Sequence, residues 1–139
     1  MNGGNHSRRI LIVDDEEHIR KVLSRALVTQ GYEVAAAAGG EEAIALASKN
    51  PFDLALLDLK MPGMSGLEVL QRLKAMLPDL IVIMLTGVAD NESLETQSLA
   101  QGAAAYLTKP CTLAELRECV ENVFRSAGPS PKPRCISGA

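Results

Sequence analysis

The feature of this sequence that most limits its fold is a series of short aliphatic runs separated by longer amphipathic segments. Each run is almost continuously apolar, which is typical of parallel strands covered on both faces rather than of strands with one face in water. The runs lie at residues 10–13, 34–38, 54–57, 80–85 and 103–107. We therefore predict a doubly wound α/β fold in which five parallel strands alternate with five helices through right-handed crossovers.

The segments between the runs carry apolar residues at the spacing of an α-helix, which predicts helices with one buried face. Three apolar stripes are clear: Ile19, Val22, Leu23, Ala26 and Leu27; Leu67, Leu70, Leu73 and Leu77; and Leu113, Leu116, Val120 and Val123. The segment 90–101 has few apolar residues, so we expect its helix to be weakly held and able to reshape at low cost.

Residues at the ends of the amphipathic segments support the predicted helix boundaries. Gly31 stands where a helix often ends in a left-handed residue. Two S/T-x-x-E patterns, one from Ser65 to Glu68 and one from Thr112 to Glu115, fit the capping box that begins a helix. The helices are therefore expected to begin and end near these positions.

Composition sets the domain plan and excludes several functions. The 139 residues are 47% hydrophobic and 22% charged, which suits one globular domain, predicted at 8–126. We expect poorly ordered tails on both sides: a Gly- and Asn-rich tail at 1–7 and a Pro-, Gly- and Ser-rich tail or truncated linker at 127–139. The net charge of −3 and the absence of Trp speak against direct nucleic-acid binding.

Targeting signals and cysteines point to the same compartment. No segment resembles a signal peptide and no apolar run is long enough for a bilayer, so we expect a cytoplasmic protein without a membrane partner. Cys111, Cys119 and Cys135 are odd in number and form no C-x-x-C pair. They are interpreted as reduced cysteines, and not as a disulfide framework or a zinc site.

Polar residues follow the apolar runs where a doubly wound sheet binds its ligands, outside the carboxyl ends of the strands. Asp14 and Asp15 follow the first run, Asp58 the third, Thr86 the fourth and Lys109 the fifth. Three clustered carboxylates repel one another, so they require a counter-charge or the protonation of one of them. Lys109 supplies one positive charge, and Mg²⁺, which prefers oxygen ligands, would supply the rest.

Other readings of these residues compete with a metal site. An aspartate after a strand is commonly a cap, and Asp15 could simply cap a helix that starts at Glu16. Phosphate-binding glycine motifs are absent from the sequence, and the segment 63–66 lacks the G-x-S-x-G spacing of a nucleophile elbow. The convergence of all five residues on one edge favours the functional interpretation.

Taken with their order and spacing, four motifs closely resemble the receiver domain of two-component response regulators over about residues 8–126. They are I-L-I-V-D-D-E, D-L-K-M-P-G-M-S-G, L-T-G and Y-L-T-K-P. The resemblance implies a CheY-like sheet with strand order 2-1-3-4-5, and it implies a phosphoacceptor switch in a phosphorelay.

The resemblance also assigns roles to individual residues. Asp58 would accept a phosphoryl group from phosphohistidine. Asp15, Asp58 and the backbone carbonyl of Lys60 would bind Mg²⁺ directly, whereas Asp14 would act mainly through a water molecule. Lys109 would pair with the phosphoryl oxygens. Thr86 would turn its hydroxyl onto them, and Tyr106 would then swing inward.

The implied partner is a sensor histidine kinase or a histidine phosphotransfer protein, with a possible homodimer through the 90–126 face. The segment 90–101 is more polar than this face commonly is in the family, so the sequence does not decide whether the homodimer forms. Two alternatives remain. One is a Mg²⁺-dependent phosphohydrolase of the haloacid dehalogenase type, although Lys60 stands where such enzymes need a second aspartate. The other is an interaction module that is never phosphorylated.

Overall fold

The computed structural model describes residues 8–58, 63–86, 102–108 and 112–125. Within them lie five strands: β1 (Arg9–Val13), β2 (Glu33–Ala37), β3 (Leu54–Asp58), β4 (Ile81–Thr86) and β5 (Ala105–Thr108). The same residues form four helices: α1 (Glu17–Thr29), α2 (Gly40–Lys49), α3 (Gly66–Met76) and α4 (Leu113–Arg125). The predicted helix at 90–101 and both predicted tails lie outside the described residues.

The strands form one sheet in the order β2-β1-β3-β4-β5, and every adjacent pair is parallel. This confirms the doubly wound fold and the strand order expected from the sequence. Each observed strand lies within two residues of its predicted limits. The largest difference is β5, which begins at Ala105, where pairing with Ile83 of β4 begins, and not at Ala103.

The sheet is covered on both faces, which explains why its strands are continuously apolar. One face packs against α2 and α3 through residues such as Val13, Leu57 and Met84. The other packs against α1 and α4 through residues such as Ile12 and Leu56. Side chains alternate between these two layers along each strand, so almost every strand position is buried.

The ends of the helices follow the predicted signals. After α1, Gly31 has a φ of +97°, and its N–H donates to the carbonyl of Val28 while that of Tyr32 donates to the carbonyl of Leu27. This pair of bonds is the Schellman arrangement. Before α4, the Thr112 hydroxyl accepts from the N–H of Glu115, whose carboxylate accepts from the N–H of Thr112.

One detail of the predicted helices differs from the structure. Leu113, placed in the buried stripe of α4, is 39% exposed because it is the first residue of the helix and precedes its packed turns. Ser65 accepts from the N–H of Glu68, which confirms the cap of α3. Among the described residues, no helix combines the length and apolar character that crossing a membrane requires.

Candidate functional site

The register of the sheet brings Asp14 and Asp58 to the same level. Val13 of β1 is aligned with Leu57 of β3, so the next residue along each strand is an aspartate, Asp14 in one and Asp58 in the other. Because the strands are parallel, both aspartates stand at the carboxyl edge of the sheet. Asp58 is itself the last residue of β3 and is aligned with Leu85 of β4.

Three carboxylates meet at this edge, as the sequence predicted. One ligand oxygen from each of Asp14, Asp15 and Asp58 can be chosen so that all lie within 4.8 Å of one another. Asp14 is fully buried and Asp58 is 6% exposed, whereas Asp15 faces solvent. At that separation two charged carboxylates repel by about 3 kcal/mol for an effective dielectric near 20. Such a cluster is costly to keep without a cation.

Asp14 is held from two directions. Its backbone N–H donates to the carbonyl of Ala37, which extends the β1–β2 pairing by one residue. Its carboxylate oxygen Oδ1 accepts from the N–H of Glu16 at 2.9 Å, and its carbonyl accepts from Nη1 of Arg20 at 2.7 Å. The first acidic residue is therefore fixed between β2 and the start of α1.

These bonds correct the alternative in which Asp15 caps α1. Glu16 occupies the N-cap position, and its side chain makes no capping bond. The Asp14 carboxylate accepts from Glu16 instead, because its short side chain reaches the N–H two residues ahead. Asp15 is thereby left to face the cluster and the solvent.

The described end of the β3–α3 loop is packed against α2. Gly63 has a φ of +81°, a conformation that favours glycine. A Cβ at Gly40, the first residue of α2, would lie 2.9 Å from the sulfur of Met64 and 2.5 Å from Val69. The absence of a side chain at Gly40 thus lets Met64 and α3 approach α2 closely, which fixes one end of the loop that follows Asp58.

The remaining predicted site residues are only partly described. Thr86 is the last residue of β4, one step beyond the level of Asp58, and is aligned with Thr108 of β5. Tyr106 is half-buried on β5 and packs against the layer formed with α2 and α3. Lys60, Lys109 and the side chain of Thr86 lie outside the described residues. Their predicted roles stay predictions.

Among the described residues, Arg20 contacts the site and was not singled out from the sequence. It lies on α1, six residues after Asp14, and its contact depends on the path of the chain between β1 and α1. The only signal in the sequence is a cation early in the helix that follows an acidic pair.

The donor set fits Mg²⁺ chemically. All three groups are carboxylates, hard oxygen ligands of the kind that Mg²⁺ prefers, and Mg²⁺ typically takes only one or two protein carboxylates and completes its shell with water and phosphate. Asp15 is exposed, so the cluster is open to solvent on one side. The three carboxylates could therefore hold an ion that reaches them from this side.

Comparison with known proteins agrees with the fold. The chain is 36% identical over 115 residues to Sporulation initiation phosphotransferase F of Bacillus subtilis, an alignment that covers 83% of this chain and 92% of that protein. It is 40% identical over 124 residues to the phosphate regulon transcriptional regulatory protein PhoB of Pseudomonas aeruginosa. That alignment covers 88% of this chain but 54% of PhoB, so the chain spans about half the length of such regulators.

Solved structures and a family match give the same result. A response regulator receiver domain protein (CheY-like) from Methanospirillum hungatei has a TM-score of 0.83 and 36% identity, with 87% of this chain and 96% of that chain covered. The Vibrio cholerae chemotaxis protein CheY4 has a TM-score of 0.80 and 32% identity, covering 84% of this chain and 98% of CheY4. Residues 10–121 match the family described as the response regulator receiver domain, and the chain therefore belongs to that family.

Proposed function

We propose that this receiver domain accepts a phosphoryl group on Asp58, in the presence of Mg²⁺, from a phosphohistidine of a sensor histidine kinase or a histidine phosphotransfer protein. The observation that carries the proposal is the convergence of Asp14, Asp15 and Asp58 at the carboxyl edge of the sheet, with two of the three buried. The phosphotransferase named among the relatives supports a phosphorelay role.

The proposed transfer needs one nucleophile and little other covalent chemistry. A carboxylate oxygen of Asp58 attacks phosphorus, a P–O bond forms, the P–N bond to the donor imidazole breaks, and the imidazole leaves with the bonding electron pair. β3 serves this step by delivering Asp58 at its last residue. The core residues Leu54, Leu56 and Leu57 are fully buried and hold the strand in place.

Charge is the main obstacle to this step, since the incoming phosphoryl group is negative and so is the site. Asp14, Asp15, Asp58 and the carbonyl of Lys60 would hold Mg²⁺, and Lys109 would pair with the phosphoryl oxygens. When bound, Mg²⁺ would neutralise charge on the phosphoryl oxygens as the P–O bond forms. Asp14 contributes from a fixed position, because Ala37, Glu16 and Arg20 hold it.

The signal would be the added charge on Asp58, about −1.5 to −2 units by analogy with other phosphorylated side chains. Thr86, at the end of the neighbouring strand, would bring its hydroxyl to the phosphoryl group. Tyr106 would then move from its half-buried position toward the core. The segment 90–101 would reshape with them, because a segment with few apolar anchors changes conformation at low cost.

On this proposal the chain is a switch that carries a phosphoryl group and does not turn over a metabolite. Its partner is a phosphohistidine protein, and we propose that the two meet in the cytoplasm. A homodimer through the 90–126 face is a further prediction. The transcriptional regulators among its relatives are about twice as long as the matched region, so any output beyond the receiver is a separate question for the whole protein.

The test is incubation with acetyl phosphate and Mg²⁺, followed by intact-mass measurement. We expect one hydroxylamine-labile phosphoryl group per chain in the wild type and none in Asp58→Asn. Asp53→Asn is the matched control, because it removes a carboxylate from the opposite end of the same strand and should keep the adduct.

The two alternatives give different results in this experiment. Multiple-turnover release of phosphate from small phosphate esters would indicate a phosphohydrolase. A wild-type protein that binds no Mg²⁺ and forms no adduct would indicate an interaction module and would overturn the proposal.

A further inference from the structure

The bond from Arg20 to the carbonyl of Asp14 has a role that the three carboxylates alone do not explain. Nη1 of Arg20 donates to this oxygen at 2.7 Å, from the second turn of α1. A hydrogen bond from a charged donor is among the stronger ones in proteins. The Arg20 side chain is half-buried, so the bond is partly shielded from water.

The carbonyl of Asp14 belongs to the peptide unit that joins Asp14 to Asp15. Because a peptide unit is planar, fixing its oxygen also fixes the direction of the Asp15 N–H and the position of its Cα. On either side, the Asp14 N–H donates to Ala37 and the Asp14 carboxylate accepts from Glu16. Arg20 thereby adds a third bond to those that hold Asp14, and it acts on the peptide unit that leads to Asp15.

We propose that Arg20 is a positioning residue for cation binding, which holds the Asp14–Asp15 peptide so that both carboxylates face the ion. The inference rests on the proposed function and names a residue beyond the group that would touch the ion or the phosphoryl group. Arg20 acts through the backbone of Asp14 and is not itself a ligand, since a guanidinium is always positively charged and has no acceptor.

A purely electrostatic role for Arg20 predicts the opposite effect on cation affinity. Arg20 contacts Asp14, so its positive charge lies close to the site and opposes the arrival of a second cation. If charge were its main effect, removing it would tighten Mg²⁺ binding. If positioning is its main effect, removing it weakens Mg²⁺ binding, because Asp14 and Asp15 lose their shared orientation. The sign of the change distinguishes the two roles.

The experiment is isothermal titration calorimetry of the metal-free protein with MgCl₂ alone, on the wild type and three variants. Arg20→Met keeps the aliphatic stem and removes the guanidinium. Arg20→Lys keeps the positive charge and replaces the planar guanidinium with a flexible ammonium group, which can still donate. Arg25→Met is the matched control, because Arg25 is an exposed cation on the same helix.

We expect Arg20→Met to raise the Kd for Mg²⁺ about tenfold, the lower end of the loss seen when residues that support metal ligands are removed. Arg20→Lys should recover part of the affinity and remain about threefold weaker than the wild type. Arg25→Met should stay within about twofold of it, as expected for an exposed charge distant from the site.

Two further measurements separate positioning from a general loss of structure. The initial rate of phosphorylation by acetyl phosphate at saturating Mg²⁺ should stay within about twofold of wild type in Arg20→Met, while the Mg²⁺ concentration for half-maximal rate rises about tenfold. In metal-free protein, the Glu16 amide should exchange with solvent faster in Arg20→Met, since its acceptor on Asp14 is less fixed. If Arg20→Met does not fold, the Kd of Arg20→Lys decides.

The outcomes are separable. Wild-type binding with weaker binding in both Arg20 variants supports the inference. If the wild type binds Mg²⁺ and Arg20→Met binds it as tightly or more tightly, the inference is overturned and the proposed function stands. The same result in Arg20→Lys has the same meaning if only that variant folds. A wild type that binds no Mg²⁺ overturns both.

Discussion

The two ends of β3 each carry an aspartate, and their surroundings are opposite. Asp53 precedes the strand, is exposed, and accepts from the backbone N–H of Arg9 at 2.8 Å. The Arg9 side chain forms an ion pair with Glu33 at 3.0 Å, so this end of the sheet carries charges of both signs. At the other end Asp58 is buried and lies beside two more carboxylates.

This difference shows how a structural aspartate can be distinguished from a functional one. Asp53 lies in water beside hydrogen-bond donors, so its charge costs little. Among the described residues, Asp58 is buried beside two other carboxylates, so like charges meet there and a bound cation would stabilise them. We infer that the carboxyl edge is built for an external charge and that the other edge is built for stability.

The largest expected effect is on phosphorylation at the carboxyl edge. Asp15→Asn removes a charge from the metal site, so its phosphorylation rate by acetyl phosphate at limiting Mg²⁺ should fall on the order of a hundredfold. Asp53→Asn should stay within about twofold of the wild type, because it touches only the opposite edge. Equal losses in both variants, measured by intact mass over time, would break the comparison.

The next effect is on stabilisation by the ion. Mg²⁺ at a hundred times its Kd should raise the free energy of unfolding of the wild type by about 2.7 kcal/mol, because it binds the folded state selectively. Urea unfolding with and without MgCl₂ measures this gain, and Asp53→Asn should retain it. Asp14→Asn should lose most of it, and a full gain in that variant would argue against Asp14 as part of the site.

A smaller effect, opposite in sign at the two ends, is expected without metal. Asp58→Asn should raise the free energy of unfolding by about 1–2 kcal/mol, because it removes one of three like charges. Asp53→Asn should lower it by about 0.5–1 kcal/mol, since the hydrogen bond to Arg9 loses its charged acceptor. Urea unfolding in EDTA tests both, and a loss of stability in Asp58→Asn would contradict the account of a strained acidic edge.

The smallest effect concerns the edge opposite the acidic cluster at high pH. The ring centroids of Tyr32 and Phe124 lie 5.7 Å apart in a tilted arrangement. The Arg8 guanidinium lies over the Phe124 ring, 4.2 Å from its centroid. Burial, and then the charge of Glu121, raise the pKa of Tyr32 above 10.0, and Arg8 opposes them. Above pH 10 the unfolded chain therefore loses this proton first, so stability should fall as pH rises.

Thermal unfolding between pH 9 and 11 measures this decline. Tyr32→Phe removes the titrating group and should make the decline shallower. An identical pH dependence in the two proteins would show that Tyr32 does not contribute.

Much of the fold followed from local signals in the sequence. The five aliphatic runs became the five strands because parallel strands buried on both faces require continuous apolar sequence. Gly31 and the Thr112–Glu115 capping box marked helix ends because their bonds involve residues close in the chain. The meeting of Asp14 and Asp58 followed from parallel topology alone.

Contacts between distant segments were not predictable in the same way. The close approach of Met64 and Val69 to Gly40 depends on how α3 lies against α2, which no local pattern specifies. The bond from Arg20 to the Asp14 carbonyl depends on the turn between β1 and α1. The choice of Asp14 over Asp15 as the acceptor for Glu16 is equally a matter of backbone path.

The central claim is that Asp58, and not another carboxylate, accepts the phosphoryl group. The most direct test is borohydride reduction of the protein after phosphorylation by acetyl phosphate with Mg²⁺, which converts a phosphorylated aspartate to homoserine. Trypsin cleavage after Lys49 and Lys60 then gives N-P-F-D-L-A-L-L-D-L-K, a peptide that contains both Asp53 and Asp58. We predict that fragmentation will place homoserine at position 58 and unmodified aspartate at position 53. Homoserine at position 53, at Asp14 or at Asp15, with aspartate retained at position 58, would contradict the account.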